Sequence, residues 1–225
     1  LEQLTAHVKE QLKDRKTKQA DHERLEELLT KILDGATFTC HEKILKKDSE
    51  RIIKDFTNRK LAIATVDTIS MKECLFISEE LKNKDKNIDY IKDITIGKAV
   101  RSSMAFPAIF TTSNYEKYNF LDGGTVDNLP VQVLKDMGAT KTIAICFDLN
   151  KYTPSKSLEG VLVRALDIFS HSGVEKAKKL ADIAIEIYNP DTSLLSMDEI
   201  ERTVENGYNA VMKQKEKILA EANNK

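Results

Sequence analysis

Short apolar runs, each bounded by polar residues, glycine or proline, divide the middle of the chain into candidate strands. Residues 61–66 read Leu-Ala-Ile-Ala-Thr-Val, and residues 142–147 read Thr-Ile-Ala-Ile-Cys-Phe. Nearly continuous apolar runs of this length are typical of strands that are buried on both faces. Further strands are predicted at 73–78, which could pair with 61–66 as a hairpin, at 120–121 and at 181–187.

Apolar residues at spacings of three and four predict helices around these strands. Residues 1–59 are predicted to be helical and highly charged, and residues 191–225 to form one long C-terminal helix. A shorter helix is expected at 96–104, where Thr95 can cap the first turn and Pro107 disfavours continuation.

A strand, a helix and a second strand follow one another over residues 118–147, which predicts a βαβ unit. Such a crossover joins parallel strands, and parallel sheets are covered on both faces. We therefore predict an α/β fold with a mainly parallel sheet and helices on both faces, an open three-layer arrangement. The chain is expected to be a single domain, 1–225, whose sheet region spans 60–190.

A glycine pair follows one predicted strand directly, in the sequence Asp122-Gly123-Gly124. Two residues without a Cβ allow a sharp turn and a close approach to the backbone. The turn places a carboxylate at the end of a strand, where open α/β sheets hold their sites. Asn128 is a candidate cap and Pro130 a candidate first-turn residue of the next helix. Taken alone, the pattern is more typical of an ordinary β-turn than of a catalytic site.

Charge, cysteine spacing and the length of the apolar runs argue against several classes of function. The 35 basic and 36 acidic residues give a net charge of −1, which provides no electrostatic argument for nucleic acid as a partner. Three cysteines without paired spacing favour a reducing, cytoplasmic setting, and no metal-binding motif is present. No apolar run approaches the roughly 18 residues that suggest a spanning helix. No cofactor is predicted.

The sequence lacks the motif that holds the serine nucleophile in α/β esterases. The α/β esterases hold their serine in G-x-S-x-G, yet no two of the eight glycines are four residues apart. Ser102 and Ser103 lie in the helix predicted at 96–104 and lack a glycine-flanked turn, so we interpret them as small packing residues. His171 follows Asp122 in the order of a Ser-Asp-His triad, but it lies at the end of a helical pattern.

Four blocks, in order, resemble the C-terminal part of the patatin-like phospholipase domain. The strand at 61–67 ends in an acid and is followed by Leu-Phe at 75–76. The helix at 96–107 carries Ser102 and ends in Phe-Pro. The Asp-Gly-Gly turn is followed by Asn-Leu-Pro-Val at 128–131, and Gly-Ala at 138–139 precedes the next strand. Together the blocks cover residues 61 to about 150.

The resemblance implies a serine lipid acyl hydrolase with a Ser–Asp dyad, of the phospholipase, lysophospholipase or esterase type. Asp122 would be the dyad acid, with Gly123, Gly124, Asn128 and Pro130 as motif residues. The family's oxyanion glycines and nucleophile elbow precede the matching region, so we expect a domain that lacks its N-terminal part and is inactive alone. The implied substrate is a lipid or another acyl ester. We therefore expect a cytoplasmic protein that can contact a membrane surface peripherally.

Two other interpretations remain open. The first is a non-catalytic binding module or truncated pseudoenzyme, because an acidic turn without a nucleophile cannot perform acyl transfer. The second is part of a Ser-Asp-His hydrolase that uses His171. A G-x-S-x-G motif encoded upstream of Leu1 would favour the dyad hydrolase over the binding module.

Overall fold

The structure, a computed structural model, describes residues 38–39, 50–55, 59–107, 110–148, 154, 158–189 and 200–223. Most of the helical segment predicted at 1–59 lies outside these residues. Inside them the prediction is wrong, because Phe38–Thr39 is a strand (β1) and Ile53–Asp55 is a single 3-10 turn.

A sheet of six strands forms the centre of the described fold. The five strands after β1 are β2 (Leu61–Asp67), β3 (Glu73–Ile77), β4 (Asp89–Ile91), β5 (Ser113–Tyr115) and β6 (Tyr118–Asp122). The main path of the sheet runs β4-β3-β2-β6-β5, and β1 adds to β2. The predicted hairpin is confirmed, because β2 and β3 pair antiparallel with Ala64 opposite Leu75.

Strand β2 is buried along almost its whole length because it has apolar clusters on both faces. Ile63 packs on one face with Phe76 and Phe120, whose rings meet edge to face at 5.1 Å. Ala62 and Ala64 pack on the other face with Leu75 and Ile77. This explains why the run at 61–66 lacks the alternation of apolar and polar residues that a one-sided strand shows.

Five helices are described. They are α1 (Ile96–Ser103), α2 (Val131–Asp136), α3 (Leu158–Leu180), α4 (Ile200–Lys213) and α5 (Lys215–Asn223). The Thr95 cap is confirmed, since its hydroxyl accepts the amide hydrogen of Lys98 at 3.3 Å. Gly138 ends α2 with φ of 93°, a conformation that other residues seldom adopt.

A second, two-stranded sheet consists of β7 (Ile143–Phe147) and β8 (Ile183–Ile187), which are parallel. The βαβ unit is therefore β7-α3-β8. The expectation of one at 118–147 is wrong, because β6 lies in the larger sheet. Helix α2 connects the two parts: Val133 packs on Ala64, and Val131 packs on Ala144.

The α/β class is confirmed, with helices packed around a central sheet. The expectation of a mainly parallel sheet is wrong in detail. Strand β2 pairs antiparallel with both β3 and β6, whereas β1–β2, β3–β4 and β7–β8 are parallel. An apolar run indicates that a strand is buried. Burial does not depend on whether the neighbouring strands are parallel or antiparallel, so the run could not predict their direction.

The C-terminal part was predicted as one helix over 191–225. Within the described residues it forms two helices, α4 and α5, which are separated at Gln214. Across the part of the chain that the structure describes, no helix combines the length and apolar character that crossing a membrane requires. The prediction of a single domain for the whole chain stays a prediction.

Candidate active site

Asp122 is the last residue of β6, and the sheet fixes its backbone. It pairs in register with Thr65 of β2, whose hydroxyl donates to the Leu121 carbonyl at 2.7 Å. Its own amide donates to the carbonyl of Ala105, just after α1, at 3.1 Å. The side chain is partly exposed. The acid is therefore carried by a strand end whose backbone the sheet fixes.

The turn after β6 orients the Asp122 carboxylate. The amide of Gly124 donates to Oδ1 of Asp122 at 2.7 Å, and the hydroxyl of Thr125 donates to the Asp122 carbonyl at 2.7 Å. Asp122 thus caps a short 3-10 helix, Gly123–Thr125. A hydrogen bond from an amide to an ionised carboxylate is stronger than one between neutral groups. The turn therefore holds one carboxylate oxygen in a fixed direction.

Gly123 has no room for a side chain, and Gly124 is crowded by two side-chain oxygens. A Cβ on Gly123 would lie 2.3 Å from the Ala64 carbonyl oxygen, because the turn presses against the backbone of β2. A Cβ on Gly124 would lie 3.0 Å from Oδ1 of Asp122 and 2.8 Å from Oδ1 of Asn128. Neither glycine has positive φ. The expected close approach is confirmed, and it is the β2 backbone that comes close.

The expected roles of Asn128 and Pro130 need correction. Helix α2 begins at Val131, Pro130 occupies the cap position, and no side chain caps the helix. Pro130 has ψ of 62°, so it lies just before the first helical turn. Asn128 is exposed, and its amide oxygen borders Gly124. Its contact is therefore with the Asp122 turn, on the N-terminal side of α2.

Asp127 lies in the loop between the turn and α2, and it caps this loop locally. Its Oδ1 accepts the Leu129 amide hydrogen at 3.2 Å. The residue is partly buried, and this burial raises the pKa of its carboxyl group. Five residues after Asp122, the chain thus carries a second partly buried acid, whose carboxylate is bonded within its own loop.

Glu73, the first residue of β3, is an acid that the sequence did not indicate as special. Burial, followed by repulsion from Asp127 and Asp85, raises the pKa of Glu73 to about 7. Its Oε1 atom is buried and has no hydrogen-bond partner within the described residues. The available signal was an acid at the start of an apolar strand, opposite Val66. Glu73 is thus a partly buried acid beside the carboxylate of Asp127, which lies in the segment that follows the turn.

A second buried carboxylate, Asp67, stabilises the frame of the site. It ends β2 and accepts hydrogen bonds from the Ser70 amide and hydroxyl and from the Asn119 amide, at 2.7–2.9 Å. Burial alone would raise the pKa of Asp67, but these hydrogen bonds outweigh it and the pKa is lowered. Asp67 therefore joins the β2–β3 turn to the start of β6 as an anion.

The structure brings neither candidate serine into a nucleophile position. Ser102 is fully buried, donates to the Lys98 carbonyl at 2.9 Å and lies 2.8 Å from the Ser113 hydroxyl. Ser103 is partly buried at the end of α1. These positions agree with the interpretation of both residues as packing residues.

His171 lies within α3, where it is exposed and near Glu175. Among the described residues, no hydrogen bond joins it to Asp122. No group of three His, Cys, Asp or Glu side chains in the described ranges is arranged to hold a metal ion. The residues that the structure does bring together are Asp122, Gly123, Gly124 and Asn128.

Comparison with protein families shows what the chain is similar to. The Patatin family model, described as patatin-like phospholipase, matches residues 8–135, which is more than half of the 225 residues. The matched range includes the Asp122 turn, Asn128 and Pro130, and ends within α2. The candidate site therefore lies entirely inside the matched region.

Proposed function

The chain belongs to the patatin-like phospholipase family, and from this we propose that Asp122 is the acid of a Ser–Asp dyad that hydrolyses acyl esters of lipids. Family membership supports a lipid acyl hydrolase in general terms. The observation that carries the residue assignment is the Asp122 carboxylate itself. It projects from a rigid strand end, is partly exposed, and has one oxygen oriented by the Gly124 amide.

In this proposal Asp122 acts first as a general base. It accepts the proton of the serine hydroxyl while the serine oxygen attacks the ester carbonyl. The ester C–O bond then breaks, and Asp122 returns the proton to the leaving alcohol. Water repeats the sequence on the acyl-enzyme and releases the fatty acid. Each proton moves between Asp122 and an oxygen atom, so no histidine and no cofactor is required.

The nucleophile belongs to sequence outside residues 1–225 in this proposal. No G-x-S-x-G occurs among these residues, and Ser102 is buried in hydrogen bonds with its own helix and Ser113. We further propose that the protein works in the cytoplasm and meets its substrate at a membrane surface, since long-chain lipids reside there.

A non-catalytic binding role for the 225-residue chain is the second candidate. The observation that favours it is the same missing nucleophile elbow. The two candidates differ in one expectation. A binding module has no need for a basic carboxylate at residue 122, whereas the dyad depends on it.

The test is Asp122→Asn in protein that carries the nucleophile segment, assayed for hydrolysis of a nitrophenyl ester and of a phospholipid. Asparagine keeps the size of the side chain but cannot accept the serine proton, so turnover should fall by roughly 10²–10⁴-fold. The thermal midpoint should change little.

Asp127→Asn is the matched control, because it makes the same chemical change five residues away. It should keep turnover, since Asp127 faces the Leu129 amide. Loss of turnover in Asp127→Asn instead, or unfolding of Asp122→Asn, would show that Asp122 serves only the turn.

A further inference from the structure

Helix α3 packs on the rest of the described fold through one face. Val174 is buried and lies in one cluster with Leu129 and Ala144. Ser170, one turn earlier on the same face, is also buried. Leu129 belongs to the loop that follows the Asp122 turn, so this face of α3 is directed toward the candidate site.

The opposite face of α3 is also apolar, yet its side chains are exposed. With about 3.6 residues per turn, positions 161, 162, 165, 168 and 169 lie within about 60° on either side of Ala165, and Val174 lies about 180° away. Four of these residues are large and apolar, and they are 43–75% exposed: Val161, Leu162, Ile168 and Phe169. A surface helix normally carries polar residues on its outer face, so a contiguous apolar face of this kind marks a contact surface.

The exposed apolar residues are arranged symmetrically along the helix. Two large side chains lie three and four residues before Ala165, and two lie three and four residues after it. Two copies of α3 that pack antiparallel about a two-fold axis at Ala165 therefore place Phe169 against Val161 of the partner subunit. The same pairing places Ile168 against Leu162 of the partner subunit. The small side chain at the axis allows the helices to approach closely. A two-fold interface requires a surface that is complementary to itself in this way.

We propose that this exposed face of α3, over residues 161–169, binds a second copy of the chain, and that the two α3 helices pack antiparallel about a two-fold axis at Ala165. The pairing buries the four large apolar side chains of each copy in one continuous row, the usual make-up of the core of an interface. It does not depend on the proposed function, because the face points away from the cluster beside the Asp122 turn.

The symmetric arrangement favours a second copy over other partners. A lipid surface or an unrelated protein would contact the same apolar residues, but neither requires large residues at equal distances on both sides of Ala165. A segment that brings a nucleophile to Asp122 is needed near Leu129, on the packed side of α3. On the exposed side, Lys176 and Lys179 follow the apolar row and give it a polar border.

The first experiment measures the oligomeric state of the intact protein by sedimentation equilibrium over a range of concentrations. The parent should be a dimer. Phe169→Glu places a charge in the apolar row and should raise the dissociation constant of the dimer roughly 30-fold or more, as loss of a buried aromatic anchor does. Val204→Glu is the control, since it makes a similar change at an exposed residue of α4 and should leave the dimer intact. A parent that is monomeric at every concentration, or a dimer that Phe169→Glu leaves unchanged, overturns the proposal.

The second experiment tests the antiparallel register by oxidative cross-linking of cysteine variants, with the parent chain as the background. Ala165→Cys should form a disulfide-linked dimer, because the axis brings residue 165 of the two copies together. Val161→Cys should cross-link when mixed with Phe169→Cys but not alone, since its two copies are about 12 Å apart along an antiparallel pair and a disulfide spans at most roughly 7 Å between Cα atoms. Cross-linking of Val161→Cys with itself, or none in Ala165→Cys, overturns the proposal. Neither experiment needs activity, so a dimer with full turnover in Asp122→Asn would reject the dyad and keep the interface.

Discussion

Replacing Gly123 by alanine tests whether the Asp122 turn is pressed against the sheet. The added Cβ would lie 2.3 Å and 2.5 Å from the carbonyl oxygen and carbon of Ala64, and 2.9 Å from the amide nitrogen of Thr65. These are backbone atoms of β2, which is paired with β3 on one side and with β6 on the other. The strand cannot move away without breaking its ladders, so the turn must shift instead.

The expected cost of Gly123→Ala is about 3 kcal/mol in free energy of unfolding, the upper part of the usual range for overpacking. In a chain of this size that corresponds to a fall of roughly 6–12 °C in the thermal midpoint. Circular dichroism during heating, with urea unfolding at fixed temperature, measures both quantities.

Gly173→Ala is the matched control. Gly173 lies inside α3, where a Cβ would have no neighbour within 4 Å. Alanine favours the helix over glycine, so this variant should gain about 0.5–1 kcal/mol. If Gly123→Ala loses less than about 1 kcal/mol, the turn is not held against β2 and the argument for a rigidly placed acid is refuted.

Two further predictions follow from the site. Burial and the nearby Asp127 carboxylate raise the pKa of Glu73 from 4.5 to about 7, so the folded state binds this proton more tightly and stability falls as pH rises across that interval. The free energy of unfolding of Glu73→Gln should therefore exceed that of the parent at pH 8 by about 1–2 kcal/mol, after allowance for solvent screening. At pH 4 the two should be equal. Urea unfolding at both pH values measures this difference. The 225-residue chain alone should not hydrolyse a short-chain nitrophenyl ester, and turnover that Ser102→Ala or Ser103→Ala abolishes would contradict this.

The parts of the fold that sequence predicted correctly are those set by neighbours along the chain. The Thr95 cap and the strand that ends at Asp122 both depend on local chemistry. The β2–β3 hairpin also formed as expected, because its two strands are close in sequence. Local signals suffice where the partner is only a few residues away.

The parts that sequence could not predict depend on long-range pairing. Strand β6 pairs antiparallel with β2, which lies more than fifty residues earlier, and β7 pairs with β8 in a separate sheet. The local pattern did not specify which backbone approaches Gly123, nor that Glu73 is buried beside the Asp127 carboxylate. For the site, the sequence indicated Asp122 as the candidate acid, and the structure supplied the contacts that hold its turn in place.

The central claim is that Asp122 serves a serine nucleophile directly. The most direct measurement is a crystal structure of the unliganded protein that includes the nucleophile segment. The account predicts a carboxylate oxygen of Asp122 within roughly 2.6–3.2 Å of the serine hydroxyl oxygen, the reach of a hydrogen bond. A serine hydroxyl that instead contacts Asp127 or His171, with Asp122 bonded only within its own turn, would contradict it.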